Sequence, residues 1–146
     1  MSFDFTSVKK QSADFRSVNK VLEKAWKSMQ LAKSTTQTNP DDSFVLAYEA
    51  MLKTTLALML SKGYRPKIQL GHHKTLVSFA KYILKGFEQL TETYDRIRKK
   101  RNKIIYDITE VSVSEAERTF AVAEKYFKIV EDRINTDNPQ QKLWRP

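Results

Sequence analysis

The chain has 146 residues, 40% of them hydrophobic and 29% charged, and a formal net charge of +9. This length and composition indicate one globular domain with a substantial core. The absence of cysteine excludes disulfides, thiolate zinc sites and cysteine nucleophiles.

The first residues include Asp4 and no apolar run, so they are not typical of a secretory signal. No segment approaches the roughly 18 apolar residues of a membrane span. The closest, residues 44–60, is interrupted by Glu49 and Lys53. We therefore expect a cytoplasmic protein without a membrane partner.

The first predicted helix begins near Thr6 or Ser12 and ends near Lys33. Its apolar residues recur at intervals of three and four, as an amphipathic helix requires, at Phe15, Val18, Leu22, Ala25, Trp26 and Met29. The polar segment 34–40 breaks this pattern and is predicted to form a loop.

The second predicted helix runs from about Asp41 to Lys62, with Asp41, Asp42 or Ser43 as its N-cap. Its apolar residues cover a wide arc, which is typical of a central helix packed on more than one side. Gly63 fits a C-terminal cap.

Glu49 interrupts this apolar helix, and three interpretations are open. The carboxylate is exposed, or it pairs with Lys53 four residues later, or it is a buried partner for Arg101. The four-residue spacing slightly favours Lys53.

The third predicted helix begins near Gly71 or His72, and Gly86 ends or bends it. The fourth runs from about Phe87 to Ile105.

The fifth predicted helix begins with a capping box, in which Ser114 is the N-cap and Glu117 follows three residues later. Residues 137–146 are polar and are predicted to be a flexible tail, in which Trp144 is either frayed or a docking anchor. The fold class is therefore all-α: a four- or five-helix up-and-down bundle formed by residues 1–136 as a single domain.

Arg101 is the most informative residue of the chain. It falls within an apolar stripe of the fourth helix that includes Tyr94, Ile97 and Ile104. A guanidinium does not lose its proton, so burying it without a partner is costly. Either the helix opens there onto a groove or dimer interface, or a carboxylate meets the arginine.

Six of the eight residues from Arg96 to Lys103 are basic. Such a run is either a solvated helix face or a surface for phosphate groups. Arg98, Asn102 and Tyr106 share one face at four-residue steps, and Arg101 lies on the neighbouring face. Arginine binds phosphate through two oxygens at once, and Asn102 can hydrogen-bond a base, a ribose or another helix.

His72 and His73 are adjacent, so on a helix they point about 100° apart and make a poor metal pair. We interpret them as a polar helix start, with a phosphate contact as the alternative. No metal site or cofactor is predicted, and nucleotide-binding and catalytic signatures such as a Gly-rich phosphate loop are absent from the sequence.

Two segments resemble the HEPN-domain superfamily. Residues 47–66 and 72–77 are similar to its second and third helices, with a Lys-Gly-Tyr-x-Pro loop between them, and Arg101-Asn102 with Tyr106-Asp107 resembles its late-helix signature. The resemblance implies a small helical bundle, commonly dimeric. Many members are metal-independent ribonucleases of toxin–antitoxin, abortive-infection or CRISPR systems, and others are partners of small nucleotidyltransferases.

Active members of the superfamily have Arg, a polar residue, three more positions and then His. Arg101 and Asn102 match the first two, but Tyr106 stands where those members have His. An imidazole with a pKa near 6.5 exchanges protons at neutral pH, whereas a tyrosine with a pKa near 10 is a poor general base. Catalysis by Arg101 with Tyr106 is therefore doubtful.

The leading hypothesis is a homodimeric protein that binds RNA or a nucleotide in a basic groove lined by Arg98, Arg101, Asn102, Lys103 and Tyr106. It would belong to a toxin–antitoxin or defence module, with a nucleotidyltransferase or antitoxin partner. One alternative is an active ribonuclease that uses Arg101 with Tyr106, or with His72 or His73. The other is a structural or adaptor bundle with its charge solvated.

Overall fold

The computed structural model describes residues 2–67, 72–144 and 146. Five α-helices form the all-α bundle expected from the sequence, with one short two-stranded ribbon beside them. The helices are α1 (Phe15–Thr35), α2 (Pro40–Ser61), α3 (His72–Ile83), α4 (Glu88–Tyr106) and α5 (Val113–Asp137), and the strands are β1 (Val8–Lys10) and β2 (Tyr64–Pro66).

Helix α2 lies at the centre of the bundle and contacts each of the other four helices. Most of its residues are buried, and they lie on more than one side of the helix, as its wide apolar arc predicts. By length and composition α2 is apolar enough to cross a membrane, in contrast to the expectation from the sequence. In the structure, however, 67% of its most apolar window is buried inside the bundle. That burial is what a core helix of this composition requires.

The predicted helix starts were partly wrong. Helix α1 begins at Phe15, with Asp14 as its N-cap, and not near Thr6 or Ser12. Helix α2 is capped by Asn39, whose side chain accepts a hydrogen bond from the backbone of Asp42. Pro40 then occupies the first turn, where its missing N–H is not needed.

Helix α5 also begins earlier than predicted. Its N-cap is Ser112, whose side chain accepts a hydrogen bond from the backbone N–H of Glu115 at 3.1 Å. The Ser-x-x-Glu pattern occurs twice in succession, at residues 112–115 and 114–117, and the first copy forms the cap. Local sequence alone does not distinguish the two copies.

The ribbon was not predicted. Antiparallel β1 and β2 pair Val8 with Pro66 and Lys10 with Tyr64. The ribbon ends where Gln11 donates a hydrogen bond to the Gly63 carbonyl at 2.9 Å. Gly63 has a φ of +84°, and a Cβ there would lie 3.3 Å from the Gln11 oxygen, so glycine fits both the turn and the close approach.

A buried hydroxyl network joins three helices. Thr55 Oγ1 on α2 lies 2.9 Å from Tyr94 Oη on α4 and 2.7 Å from Tyr126 Oη on α5. It also donates a hydrogen bond to the Met51 carbonyl at 2.7 Å. With its one proton used there, Thr55 accepts from both tyrosines, and all three hydroxyls are satisfied within the core.

Residues beyond α5 lie against α1. Leu143 is buried, and the Trp144 ring packs 6.3 Å from the Trp26 ring. Asn19 donates to the Lys142 carbonyl at 3.0 Å and accepts from the Trp144 backbone at 2.6 Å. Trp144 therefore docks on α1 in the structure. The predicted flexibility of 137–146 stays a prediction, because contacts do not measure motion.

Candidate functional site

A pocket of about 310 Å³ lies between α2, the start of α3 and the second half of α4. We call it the Arg101 pocket. Its apolar wall is formed by leucines 52, 56 and 76, and its polar groups come from all three helices: Glu49, Lys53, His72, His73 and Arg101. It is therefore a cleft in which charged and apolar groups converge, as is usual for ligand sites.

Arg101 is half-buried and has no carboxylate within 4.0 Å in the described part of the chain. Its Nη1 donates a hydrogen bond to Asn102 Oδ1 at 3.3 Å, and its Cζ lies 5.8 Å from the centre of the Tyr48 ring. Its Nε is buried and has no hydrogen-bond partner among the described residues. The arginine thus opens onto a cleft, which is the first of the two interpretations left open by the sequence.

Glu49 lies in the same pocket but forms no ion pair within 4.0 Å with Arg101 or Lys53. Lys53 instead donates a hydrogen bond to Ser28 Oγ on α1 at 2.9 Å. The interpretation favoured from the sequence, a Glu49–Lys53 ion pair, is wrong because α1 offers the ammonium group a buried hydroxyl. The half-buried carboxylate faces the pocket with both cations nearby.

His73 is held at the pocket wall by Tyr48, whose Oη lies 3.2 Å from His73 Nδ1. Burial, with smaller effects from His72 and Arg101, lowers the pKa of His73 from 6.5 to about 4. Burial also raises the pKa of Tyr48 well above its ordinary value, so the phenol keeps its proton. At neutral pH this pair is uncharged, and the imidazole has a free proton-accepting or proton-donating nitrogen, depending on its tautomer.

Arg98 is held differently from Arg101. Its Nε forms an ion pair with Asp95 at 2.9 Å, and only 13% of its side chain is exposed. The same carboxylate also pairs with Lys81 at 3.5 Å and Lys99 at 3.7 Å. Burial acts to raise the pKa of Asp95, but the Arg98 hydrogen bond and these cations outweigh it and hold that pKa below its ordinary value.

The other predicted site residues lie outside the Arg101 pocket. Asn102 is half-buried beside Arg101, and Lys103 is exposed. Tyr106 ends α4 and is 82% exposed. Of the five residues predicted to line one groove, the pocket contains Arg101 alone, and the binding roles of the other four stay predictions.

Sequence reasoning missed Tyr48 and did not group the pocket residues. A signal was available on α2, because Glu49, Leu52, Lys53 and Leu56 recur at intervals of three and four and therefore share one face. What brings that face to Arg101 and the histidines is the packing of α2 against α3 and α4, which local periodicity does not specify.

Within residues 2–67, 72–144 and 146, no three His, Asp or Glu side chains are grouped as metal ligands. Acid–base groups are nevertheless available at the Arg101 pocket, through the uncharged imidazole of His73 and the carboxylate of Glu49. The pocket therefore has the groups to bind an anion and, next to it, groups that accept or donate protons.

Comparison with known proteins gives one match. The model of the HEPN domain matches residues 18–133, a span that begins in α1 and ends in α5 and includes the Arg101 pocket. Searches of curated proteins and of solved structures found no significant match.

Proposed function

The chain belongs to the HEPN-domain family, and from that premise we propose that it binds RNA or a nucleotide through a phosphate group at the Arg101 pocket. Family membership supports a nucleotide- or RNA-related role in general. The observation that carries the specific proposal is the state of Arg101: a cation at an open cleft with a buried Nε that has no partner in the described chain. A phosphate oxygen is the partner that such a guanidinium binds best.

The mixture of charges in the pocket favours a nucleotide over a bare phosphate. Arg101 and Lys53 supply positive charge, while Glu49 supplies a carboxylate without an ion pair among the described residues. A carboxylate only accepts hydrogen bonds, so it favours ligands with donors near the phosphate. Ribose hydroxyls and base amino groups are such donors.

Binding is tested with fluorescein-labelled single-stranded RNA and with adenosine monophosphate. We expect Arg101→Ala to weaken binding of either ligand by at least about tenfold, because charge-assisted hydrogen bonds are among the strongest in proteins. Arg16→Ala is the matched control. Arg16 lies in the first turn of α1, outside the pocket, and 96% of its side chain is exposed. RNA binding should weaken steeply with added salt, because phosphate contacts release counterions.

Two results would contradict this proposal. Equal losses in Arg101→Ala and Arg16→Ala would indicate non-specific attraction to a basic protein. Binding that does not respond to salt, or no binding, would favour the alternative of a structural bundle.

Exposed apolar residues at the end of α4 and just after it support a protein interface in this region. Ile105 is 43% exposed, Tyr106 82% and Ile108 96%, and exposed apolar groups in such a run are typical of contact surfaces. We propose that a second copy of the chain packs here, so that two Arg101 pockets lie across one dimer interface.

The dimer is tested by measuring mass in solution. We expect Ile108→Asp to shift the protein to the monomer, because it places a charge in an apolar contact. Leu31→Asp is the control, since Leu31 on α1 is also 55% exposed. A monomeric parent protein, or dissociation by both variants alike, would contradict this interface.

A second candidate function is metal-independent ribonuclease activity that uses Arg101 with a histidine of α3. It is favoured by the presence of His72, His73 and Arg101 in one pocket, whereas Tyr106 lies outside it. Purified protein is incubated with RNA in EDTA. Cleavage that is lost in Arg101→Ala and in His73→Gln, but kept in Tyr106→Phe, would support it, and no cleavage would leave the binding function.

The biological setting is also proposed from the family. We propose that the protein acts in a toxin–antitoxin or defence module beside a small nucleotidyltransferase or another antitoxin partner. The test is co-purification with the product of the neighbouring gene, together with its effect on growth. A neighbour of unrelated chemistry that neither binds nor neutralises the protein would contradict this setting.

A further inference from the structure

A second and larger cleft lies on another side of α4. Its volume is about 450 Å³, and it separates residues 93–100 of α4 from residues 115–122 of α5. We call it the α4–α5 groove. None of its lining residues belongs to the Arg101 pocket, so neither the proposed function nor the family match accounts for it.

The floor of the groove is apolar. Phe44 of α2 is 2% exposed and Ile97 of α4 is 7% exposed, and half-buried Val122 of α5 completes the floor. Apolar surface of this kind is stabilised by contact with an apolar group. A ligand that fills the groove would therefore need an apolar body.

The rim of the groove is basic. Arg96 and Lys100 lie one helical turn apart on α4, and Arg118 faces them from α5. Lys100 forms an ion pair with Glu115 at 2.8 Å, which links the two helices. Glu115 contributes the single carboxylate among the described lining residues, so the two arginines are not neutralised by the rim.

Both arginines are positioned by hydroxyl groups. Arg96 Nη2 donates to Thr93 Oγ1 at 2.9 Å, and Arg118 Nη1 donates to Ser114 Oγ at 2.6 Å. Neither has a carboxylate within 4.0 Å in the part of the chain that is described. Each hydroxyl uses one of the five N–H donors of a guanidinium, so the remaining donors are free to bind a carboxylate or a phosphate.

We propose that the α4–α5 groove binds a small organic anion, with its apolar body on the Phe44–Ile97–Val122 floor and its charged group at Arg96 and Arg118. The volume lies within the range of roughly 300–1,000 Å³ that is usual for small-molecule sites. An inorganic anion alone gains little at exposed arginines, where water and salt screen the charge. An uncharged apolar compound would contact the floor but make no ion pair with the basic rim. The groove therefore favours a ligand that carries both an apolar body and an anionic group.

In the experiment, the full chain is titrated separately with decanoate, hexanoate, adenosine monophosphate and inorganic phosphate, and binding is measured by isothermal titration calorimetry. The Arg101→Ala variant is used as background, so that binding at the Arg101 pocket does not contribute. We expect decanoate to bind at least about tenfold more tightly than hexanoate, because four additional methylenes enter an apolar environment. Adenosine monophosphate distinguishes a planar body from an aliphatic one, and inorganic phosphate reports the charge alone.

The double variant Arg96→Gln/Arg118→Gln should weaken binding of whichever organic anion binds by at least about tenfold. The charge-matched control is Lys24→Gln/Lys27→Gln, two exposed lysines on α1, which should leave the affinity within about twofold because screened surface charges contribute little. Circular dichroism of both variants checks that the bundle is intact.

Binding of decanoate or of adenosine monophosphate that depends on the two arginines supports the proposal and identifies the ligand body. The proposal is overturned if neither decanoate nor adenosine monophosphate binds, or if inorganic phosphate binds as tightly as these two ligands do. It is also overturned if Lys24→Gln/Lys27→Gln loses as much affinity as Arg96→Gln/Arg118→Gln. None of these results depends on Arg101, so a failure here is separate from a failure of the proposed function.

Discussion

The two halves of α4 differ in what they contact. In the first half, Thr91, Tyr94 and Ile97 are buried, and Tyr94 joins the hydroxyl network of the core. In the second half the same face carries Arg101 at a pocket and then the exposed Ile105. Along the face of Tyr94 and Arg101, the helix therefore contributes to the core at its beginning and to the Arg101 pocket at its end, so substitutions on this face separate stability from binding at that pocket.

The largest expected effect is at Tyr94. Tyr94→Ala removes a fully buried aromatic ring and should lower the free energy of unfolding by about 3–5 kcal/mol. The control in the other half of the helix is Ile105→Ala, which should cost less than about 1 kcal/mol because 43% of Ile105 is exposed. Urea unfolding measures both. Similar losses would show that the two halves do not differ in their contribution to stability.

The second largest expected loss of stability is at Thr55, which accepts hydrogen bonds from Tyr94 and Tyr126 in the buried hydroxyl network. Thr55→Val keeps the side-chain shape but leaves the hydroxyls of Tyr94 and Tyr126 without their shared acceptor. Each buried donor left without a partner costs roughly 1–3 kcal/mol, so we expect a loss of about 2–4 kcal/mol in urea unfolding.

Thr54→Val is the matched control for this experiment. Thr54 is equally buried, but its hydroxyl bonds to the Ala50 carbonyl on its own helix. That carbonyl keeps its place in the helix, so the loss should be below about 1.5 kcal/mol. Equal effects of the two substitutions would indicate that the tyrosine hydroxyls find other partners.

The sequence predicted the parts of the fold that depend on local pattern. Five helices and the central position of α2 followed from apolar periodicity. The ribbon did not, because three-residue strands paired across more than fifty residues leave no local signal, and Gly63 was recognised as a cap without the strand beside it.

For the candidate site, the sequence likewise predicted the individual residues but not how they come together. Arg101, Glu49 and the two histidines were each identified as residues that need an explanation. Their assembly into one pocket depends on how three helices pack, and the exposure of Tyr106 depends on where α4 leaves the core. Spacing along one helix placed Tyr106 on a shared face but did not show which groups from other helices would meet that face.

The third expected effect is smaller and has the opposite sign. Arg101→Met keeps the apolar stem and removes a buried Nε that has no partner among the described residues. Burying an unpaired charged group is unfavourable, so the free energy of unfolding should stay the same or rise by up to about 1 kcal/mol. Binding of the labelled RNA should fall at the same time. A loss of stability above about 2 kcal/mol would instead assign Arg101 a structural role in the second half of α4.

The smallest effect is expected for the dependence on pH that comes from the pocket wall, because water screens the half-buried His73 and reduces its contribution. The pKa of His73 is about 4 in the folded protein and near 6.5 when the chain is unfolded. Between these values the unfolded state binds more protons, so the free energy of unfolding falls as the pH is lowered from about 6.5 to about 4. The lowered pKa values of Asp95 and Asp137 act in the same direction, but mainly below about pH 5, so they overlap only the acidic end of this window.

His73→Gln should remove this dependence, whereas His72→Gln, at an exposed position, should keep most of it. The measurement is urea unfolding at several pH values between 4 and 7. The positive charge of Arg101, in the second half of α4, contributes to the low pKa of His73. Arg101→Met should therefore reduce the dependence on pH while leaving Tyr94 and its network intact. An unchanged dependence in that variant would mean that burial, His72 and Arg98 keep His73 uncharged without a contribution from Arg101.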